Sequence, residues 1–245
     1  MIKKNNRYSY ATGTRYMDHG QRRYDVAGYR LPSVTTILGR TKDQKFLQDW
    51  KKKVGEKEAE RIKTTSATRG TAMHKYLENY VLGKGYEDLT ELGQETKRMA
   101  EKVIELGLAP VSEIFGSEVT LYYPGLYAGS TDLVGIHNEK ETVIDFKQAN
   151  RPKREEWIGD YKLQCTAYAM AHDQVHGSNI EQCVIMVCTP DLYYQEFKCS
   201  GAELRSWKHK FLKRLDHYNE LIFDEKERAK VDITELLGEF EADKS

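Results

Sequence analysis

The eight residues 142–149, TVIDFKQA, constrain this chain more than any other stretch. They form a run of β-formers in which Asp145 and Lys147 stand two positions apart. Side chains alternate across a strand, so both polar groups emerge on one face while Ile144 and Phe146 point the other way, into a core. The preceding apolar run carries another acid, Asp132, on the far side of a tight turn. Adjacent antiparallel strands would bring the two carboxylates to one end of a sheet, where they could hold a divalent cation beside a phosphate. An Asp-x-Lys on a surface sheet also arises by chance, so the surrounding sequence has to carry the distinction.

That sequence changes period along its length. Residues 117–123, 125–137 and 141–149 read as three strands of an antiparallel meander, joined by turns at Pro124-Gly125 and Asn138-Glu139. Upstream, residues 6–31 read as one or two β-hairpins with DHGQ and VAGY as turn signals. In LPSVTTIL, residues 31–38, Pro32 starts an extended approach and Ser33 or Thr35 can cap a short helix. Helical spacing recurs over 45–63, over 70–82 with Ser66 or Thr68 as cap, and over 89–106, closed by Gly107 and Pro110. Downstream come a helix over 155–175, strands over 183–190 and 192–199, an amphipathic helix from 202 to about 230 and an acidic tail.

No internal repeat or Gly/Ser linker interrupts this order. A β-rich middle between helices predicts an α/β (α+β) layered fold, a central mixed sheet with an antiparallel meander flanked by helices. A chain of 245 residues can bury a core as one domain over 1–245. Within it, 1–66 would be a basic hairpin-and-helix elaboration, 67–200 the core with the site, and 201–245 a C-terminal helix and acidic tail.

Charge is unevenly placed. Net charge is zero, yet residues 1–69 hold 17 Lys and Arg against 7 Asp and Glu, and residues 220–245 hold 4 against 9. The basic front end also carries Tyr8, Tyr10, Tyr16, Tyr24, Tyr29, Phe46 and Trp50. Such a segment can track a phosphate backbone while its rings stack on bases, or be a solvated surface whose aromatics pack locally. No apolar run is long enough to span a membrane, and the N-terminus lacks the apolar core of a secretory signal, so a cytoplasmic location is expected ahead of a mitochondrial one. Cys165, Cys183, Cys188 and Cys199 show neither CxxC nor zinc spacing and read as buried free thiols.

Hydrolysis of a phosphodiester calls for hard oxygen ligands, and for one or two metals to stabilise the attacking and leaving oxygens. Asp132 and Asp145 meet the first demand, and Lys147 can orient or help activate water and offset phosphate charge. His74 and Glu78 are i, i+4 neighbours on a helix. Imidazole is a common metal ligand, though a lone helix histidine is as readily a satisfied surface group. Glu118 adds a carboxylate or is exposed strand surface. Gln164 and Tyr168 share a helix face that either borders the site or packs.

Taken in order, Gly70-x-x-x-His74-x-x-x-Glu78, Asp132 in YAGSTD, Asp145-Phe146-Lys147 and Gln164-x-x-x-Tyr168 resemble the RecB-type branch of the PD-(D/E)XK nucleases. LPSVTTIL and the basic region before it are similar to the mitochondrial exonucleases and phage relatives of that branch. The resemblance covers about residues 20–200 and implies a restriction-endonuclease-like core. It implies Asp132 and Asp145 as metal ligands, completed by the backbone carbonyl of Phe146, with Lys147 as the catalytic lysine. His74 would be a further ligand, or fix a second metal, with Glu78 orienting it. Gln164 and Tyr168 would lie beside the site or on the nucleic acid, and Glu118, Ser33 and Thr35 would support it.

The implied enzyme is a deoxyribonuclease using one or two Mg²⁺ or Mn²⁺ ions, an exonuclease on single-stranded DNA ends. The alternatives are a structure-selective endonuclease on flaps or branches, and a nucleic-acid-binding protein that keeps the nuclease fold without activity. DNA is the expected partner, with recombination or replication proteins of a phage or a cell, no membrane, and a monomeric state. Some RecB-type nucleases hold an iron–sulfur cluster with one early cysteine and a late trio. No cysteine precedes Cys165 here, so no such cluster is expected. The G-x-x-x-x-G-K-[ST] signature of an attached motor is absent as well.

Overall fold

The computed structural model describes residues 2–242. A short β1 (Lys3–Lys4) is followed by a small antiparallel sheet of β2 (Gly13–Asp18), β3 (Gln21–Val26) and β4 (Tyr29–Pro32). Its two turns put His19-Gly20 and Ala27-Gly28 at positive φ, the backbone that matches the twist of paired strands in a two-residue hairpin. The hairpins expected over 6–31 are therefore present. Ser33 Oγ accepts the Thr36 N–H at 3.0 Å and starts α1 (Val34–Arg40).

The next helices are partitioned differently from the sequence expectation. α2 (Lys45–Val54) ends at Gly55, whose φ of 85° and ψ of 146° no helix accommodates, and α3 (Glu56–Leu82) then runs unbroken. Ser66 and Thr68 are interior to α3 and cap nothing. Thr68 Oγ1 donates to the Thr64 carbonyl and Thr71 Oγ1 to the Ala67 carbonyl, so hydroxyls that read as caps satisfy themselves within the helix. α3 ends at Gly83 in the left-handed conformation, and α4 (Glu91–Leu106) follows a Thr90 cap.

The meander is present as β5 (Val111–Tyr123), β6 (Tyr127–His137) and β7 (Lys140–Gln148), β5 starting six residues earlier than expected. A 3₁₀ turn (Glu155–Trp157) precedes α5 (Gly159–His176), which returns the chain to β8 (Gln182–Cys188), parallel to β7; β9 (Tyr194–Ser200) closes as a hairpin. α6 (Gly201–Ala242) runs through most of the expected acidic tail, whose Ile233, Leu236, Leu237 and Phe240 recur at helical spacing. Residues 243–245 of that tail lie outside the described residues.

The main sheet has the order β1-β5-β6-β7-β8-β9. Alternation decides its two faces. Val143, Cys183, Ile185 and Val187 pack with α1, α5 and α6. Ile144, Phe146, Val184 and Met186 pack with α3 and α4. Met73 and Leu77, both at 0% exposure, anchor α3 to the second face, each contributing on the order of 2 kcal/mol. His74 and Glu78 follow them by one position and so lie along the border of that buried stripe.

Candidate active site

The Asp145–Lys147 strand behaves as its pattern demands. Ile144 and Phe146 enter the α3–α4 core, while the Lys147 ammonium lies on the other side, against Asp145 and 5.4 Å from the centre of the Tyr161 ring on α5. Asp145 is almost fully buried, and its Oδ2 receives no well-aligned hydrogen bond even though the ammonium is its neighbour.

Register extends the site across three strands. The last β6–β7 pair is Leu133↔Ile144, so Asp132 falls beside Asp145 one step further along. The β5–β6 pairs Ser117↔Leu133 and Val119↔Thr131 leave Glu118 facing Asp132. Glu118 holds a φ of 53°, strained for a residue with a Cβ in mid-strand.

The β6–β7 ladder stops here because its polar groups are engaged elsewhere. The Phe146 N–H donates to Asp132 Oδ2 at 2.6 Å, and the Phe146 carbonyl accepts from His74 Nε2 at 2.8 Å. His74 Nδ1 is 3.2 Å from Asp132 Oδ1. The Phe146 carbonyl can only accept, so Nε2 donates to it, while Nδ1 stands within ion-pair distance of Asp132. Glu78 does not orient it, contrary to expectation: both ring nitrogens are already engaged, and Glu78 pairs with Lys75 at 3.4 Å, one turn away from the ring.

The electrostatics follow from this packing. Burial pulls the His74 pKa down, but the charge and hydrogen bond of Asp132 outweigh it and the net shift is upward. Asp132 is correspondingly lowered, its burial overcome by His74, Lys147 and the Phe146 N–H. Asp145 is pushed up to about 6 by burial, with Lys147 pulling it down and Asp132 adding to the rise. Lys147 is raised: burial lowers it, and the Asp145 and Asp132 charges more than compensate, so it stays an ammonium. Glu118 is pushed up to about 7 by desolvation and then by Asp132. Its side chain nevertheless opens to the cavity, and water there screens part of that push.

In front of Asp132 lies a cavity of about 400 Å³. His74, Glu78, Glu118, Gln164, Tyr168, Ser33 and Thr35 all border it, so every supporting residue expected from the sequence converges there. Gln164 Nε2 donates to Tyr168 Oη at 3.2 Å, and Ser33 Oγ and Thr35 Oγ1 are 2.9 Å apart. Asp145 and Lys147 do not line this cavity. Sequence reading missed Arg15 and Arg22, which border the cavity from β2 and β3 and have no carboxylate partner among the described residues. The net charge of the front end was the available signal, without a way to choose among its cations.

A divalent cation fits these donors. Atoms of His74, Glu118 and Asp132 lie within 4.8 Å of one another, and Asp145 Oδ2, on the adjoining strand, is a buried oxygen with no well-aligned hydrogen bond. To ligate a metal, His74 must present an unprotonated ring nitrogen. Its ring bridges the same carboxylate and carbonyl that a metal would use.

No family model matches the chain. It is 30% identical over 205 residues to human mitochondrial genome maintenance exonuclease 1, covering 78% of this chain and 58% of that protein. The Xenopus tropicalis protein of the same name is 26% identical over 211 residues, covering 80% of this chain and 59% of the relative. The chain thus spans less than two thirds of the length of these curated relatives. Among solved structures, a candidate exonuclease from Eubacterium rectale aligns at TM-score 0.44 and 11% identity, over 62% of this chain and 68% of that one. An alkaline exonuclease from Laribacter hongkongensis aligns at 0.29 and 15%, over 63% and 82%. At these scores the structural likenesses add no weight of their own. The sequence matches make this chain similar to nucleases, and its mixed sheet carries Asp-x-Lys beside a second strand acid.

Proposed function

We propose that the chain is a metal-dependent DNA exonuclease that hydrolyses phosphodiester bonds at single-stranded ends. The observation that carries this reading is the row of Glu118, Asp132 and Asp145 across three strands, with His74 against Asp132 and Lys147 against Asp145. Acids facing one another across a sheet destabilise it, and a hard cation with its phosphate removes that cost. Mg²⁺ or Mn²⁺ would be held by Asp132, Asp145 and the Phe146 carbonyl, with Glu118 and His74 adjoining. When bound, it supplies positive charge at the phosphate oxygens and acidifies water.

The protein's own groups do the rest. The Lys147 ammonium offsets the charge gathering on the scissile phosphate. Arg15 and Arg22, across the cavity, hold the backbone of the strand, and Gln164 and Tyr168 form the wall between. The test is end-labelled linear and circular single-stranded DNA, with and without Mg²⁺ or Mn²⁺. Linear DNA should be shortened only with metal, and the circle left intact. Nicking of the circle would make the protein an endonuclease, and salt-sensitive binding without products under any metal would make it a binding protein.

A further inference from the structure

We propose that Trp157, with Arg151 and Arg154 beside it, is a second seat for single-stranded nucleic acid, stacking a base and holding its neighbouring phosphates just outside the candidate active site. This deepens the nuclease reading and rests on it for the identity of the strand.

Trp157 is 46% exposed and belongs to none of the three apolar clusters, so core packing does not account for it. The guanidinium carbons of Arg151 and Arg154 lie 5.5 and 5.2 Å from its ring centre. A half-exposed indole with two guanidinium groups over its ring brings together the aromatic and cationic groups that bind single strands without regard to sequence, because every base has a π-face and every linkage a negative charge.

The charge here is not spent internally. Among the described residues neither Arg151 nor Lys153 has a carboxylate within ion-pair distance, and Arg154 reaches only Glu156, at 3.9 Å. Lys153 is lowered by burial and then by the charges of Arg151 and Lys42. Holding like charges together is favourable when a polyanion lies across them.

The segment is also fixed in place and well sited. Gln195 on β9 accepts from the Lys153 N–H at 2.6 Å and donates to its carbonyl at 2.9 Å, so the loop is ordered before any ligand arrives. Arg151 follows Lys147 by four residues, which limits their backbone separation to roughly 14 Å. Trp157 precedes Tyr161 by four positions, and the Tyr161 ring faces the Lys147 ammonium. A strand leaving the carboxylate row toward the start of α5 would run toward the indole.

The experiment measures binding by anisotropy of a fluorescent oligothymidylate of about twenty nucleotides, longer than a single-strand footprint, in EDTA so that nothing is cleaved. Trp157→Ala should weaken binding roughly 5- to 100-fold, whereas Trp157→Phe, which keeps a stacking ring, should stay within roughly threefold. Arg151→Gln with Arg154→Gln should reduce the slope of log affinity against log salt by roughly 0.7 for each phosphate that is no longer neutralised. The oligonucleotide should also quench wild-type tryptophan emission, and most of that quench should vanish in Trp157→Phe although Trp50 and Trp207 remain.

Wild-type affinity in a folded Trp157→Ala protein, or a full quench in Trp157→Phe, overturns the proposal. Should Trp157→Ala fail to fold, the salt slope and the quench decide. Absence of any nuclease products from the wild-type protein would overturn the function proposed above while leaving this binding result standing, and unchanged binding by Trp157→Ala would do the reverse.

Discussion

Glu118 and Asp132 face each other across β5 and β6, a like-charge pair that a bound cation would relieve. Glu118→Gln should therefore leave the melting temperature in EDTA at pH 8 unchanged or about 1 °C higher, since the repulsion it removes is partly screened and amounts to a few tenths of a kcal/mol. The same variant should show a smaller rise in melting temperature when Mn²⁺ is added. A drop in EDTA with the Mn²⁺ increment intact would mean that Glu118 is merely structural.

A second residue ties stability to pH. His172 is fully buried, with Nε2 3.1 Å from Tyr10 Oη and Nδ1 2.6 Å from Ser178 Oγ. Burial pulls its pKa down to about 3, aided by His176 and Arg7. An unfolded histidine titrates near 6.5, so between pH 6.5 and 3 the unfolded chain takes up a proton that the folded chain refuses. Stability from this group is full above pH 6.5 and falls with acid, by up to a few kcal/mol. His172→Asn should flatten the dependence of melting temperature on pH between 6.5 and 4; an unchanged slope would locate the acid sensitivity elsewhere.

That Asp145 and Lys147 share a strand face was legible in the sequence because strand alternation is local, while the approach of His74 to Asp132 was expected only from the ordered set of motifs. Arg15 and Arg22 were not legible, because their place at the cavity depends on how a hairpin folds back over a sheet.

Between elements, β6 and α5 approach closely near the site. A Cβ built on Gly129 would lie 2.6 Å from Tyr168 Cε1, and Tyr168 is held by Gln164 on the same helix. Gly129→Ala should cost about 1–3 kcal/mol by forcing the strand and helix apart, and Tyr168→Leu in the same protein should recover part of it. Additive losses in denaturant melts would show that the two positions do not touch. Element identity was largely readable: the meander, the crossover helix and the final hairpin all follow from period and turn residues. The α2–α3 boundary was not. Thr64–Thr68 resembles a cap-rich linker, and only hydroxyls bonding back to carbonyls one turn earlier let the helix pass through it. Gly55, which does break the chain, looks in sequence like any glycine among charges.

At the scale of the molecule, the small N-terminal sheet leans on the main one through Tyr24, Val26, Leu31 and Ala128, with a bridge from Ser33 to Ala128. This contact sets Arg15 and Arg22 across the cavity from the carboxylates, converting a basic N-terminal composition into one wall of the site. Arg15→Ala and Arg22→Ala should each weaken single-stranded DNA binding and lower its salt slope by about 0.7, with folding unchanged. Equal slopes in both variants and the wild type would detach the small sheet from the substrate.

The central claim concerns the strand that carries Asp145 and Lys147. Its most direct measurement is cleavage of end-labelled single-stranded DNA, with and without Mg²⁺ or Mn²⁺, by purified Asp145→Ala and Lys147→Ala proteins whose DNA binding is followed in parallel. Loss of metal-dependent cleavage in both, with binding largely kept, is the predicted result; metal-dependent cleavage persisting in both would contradict it.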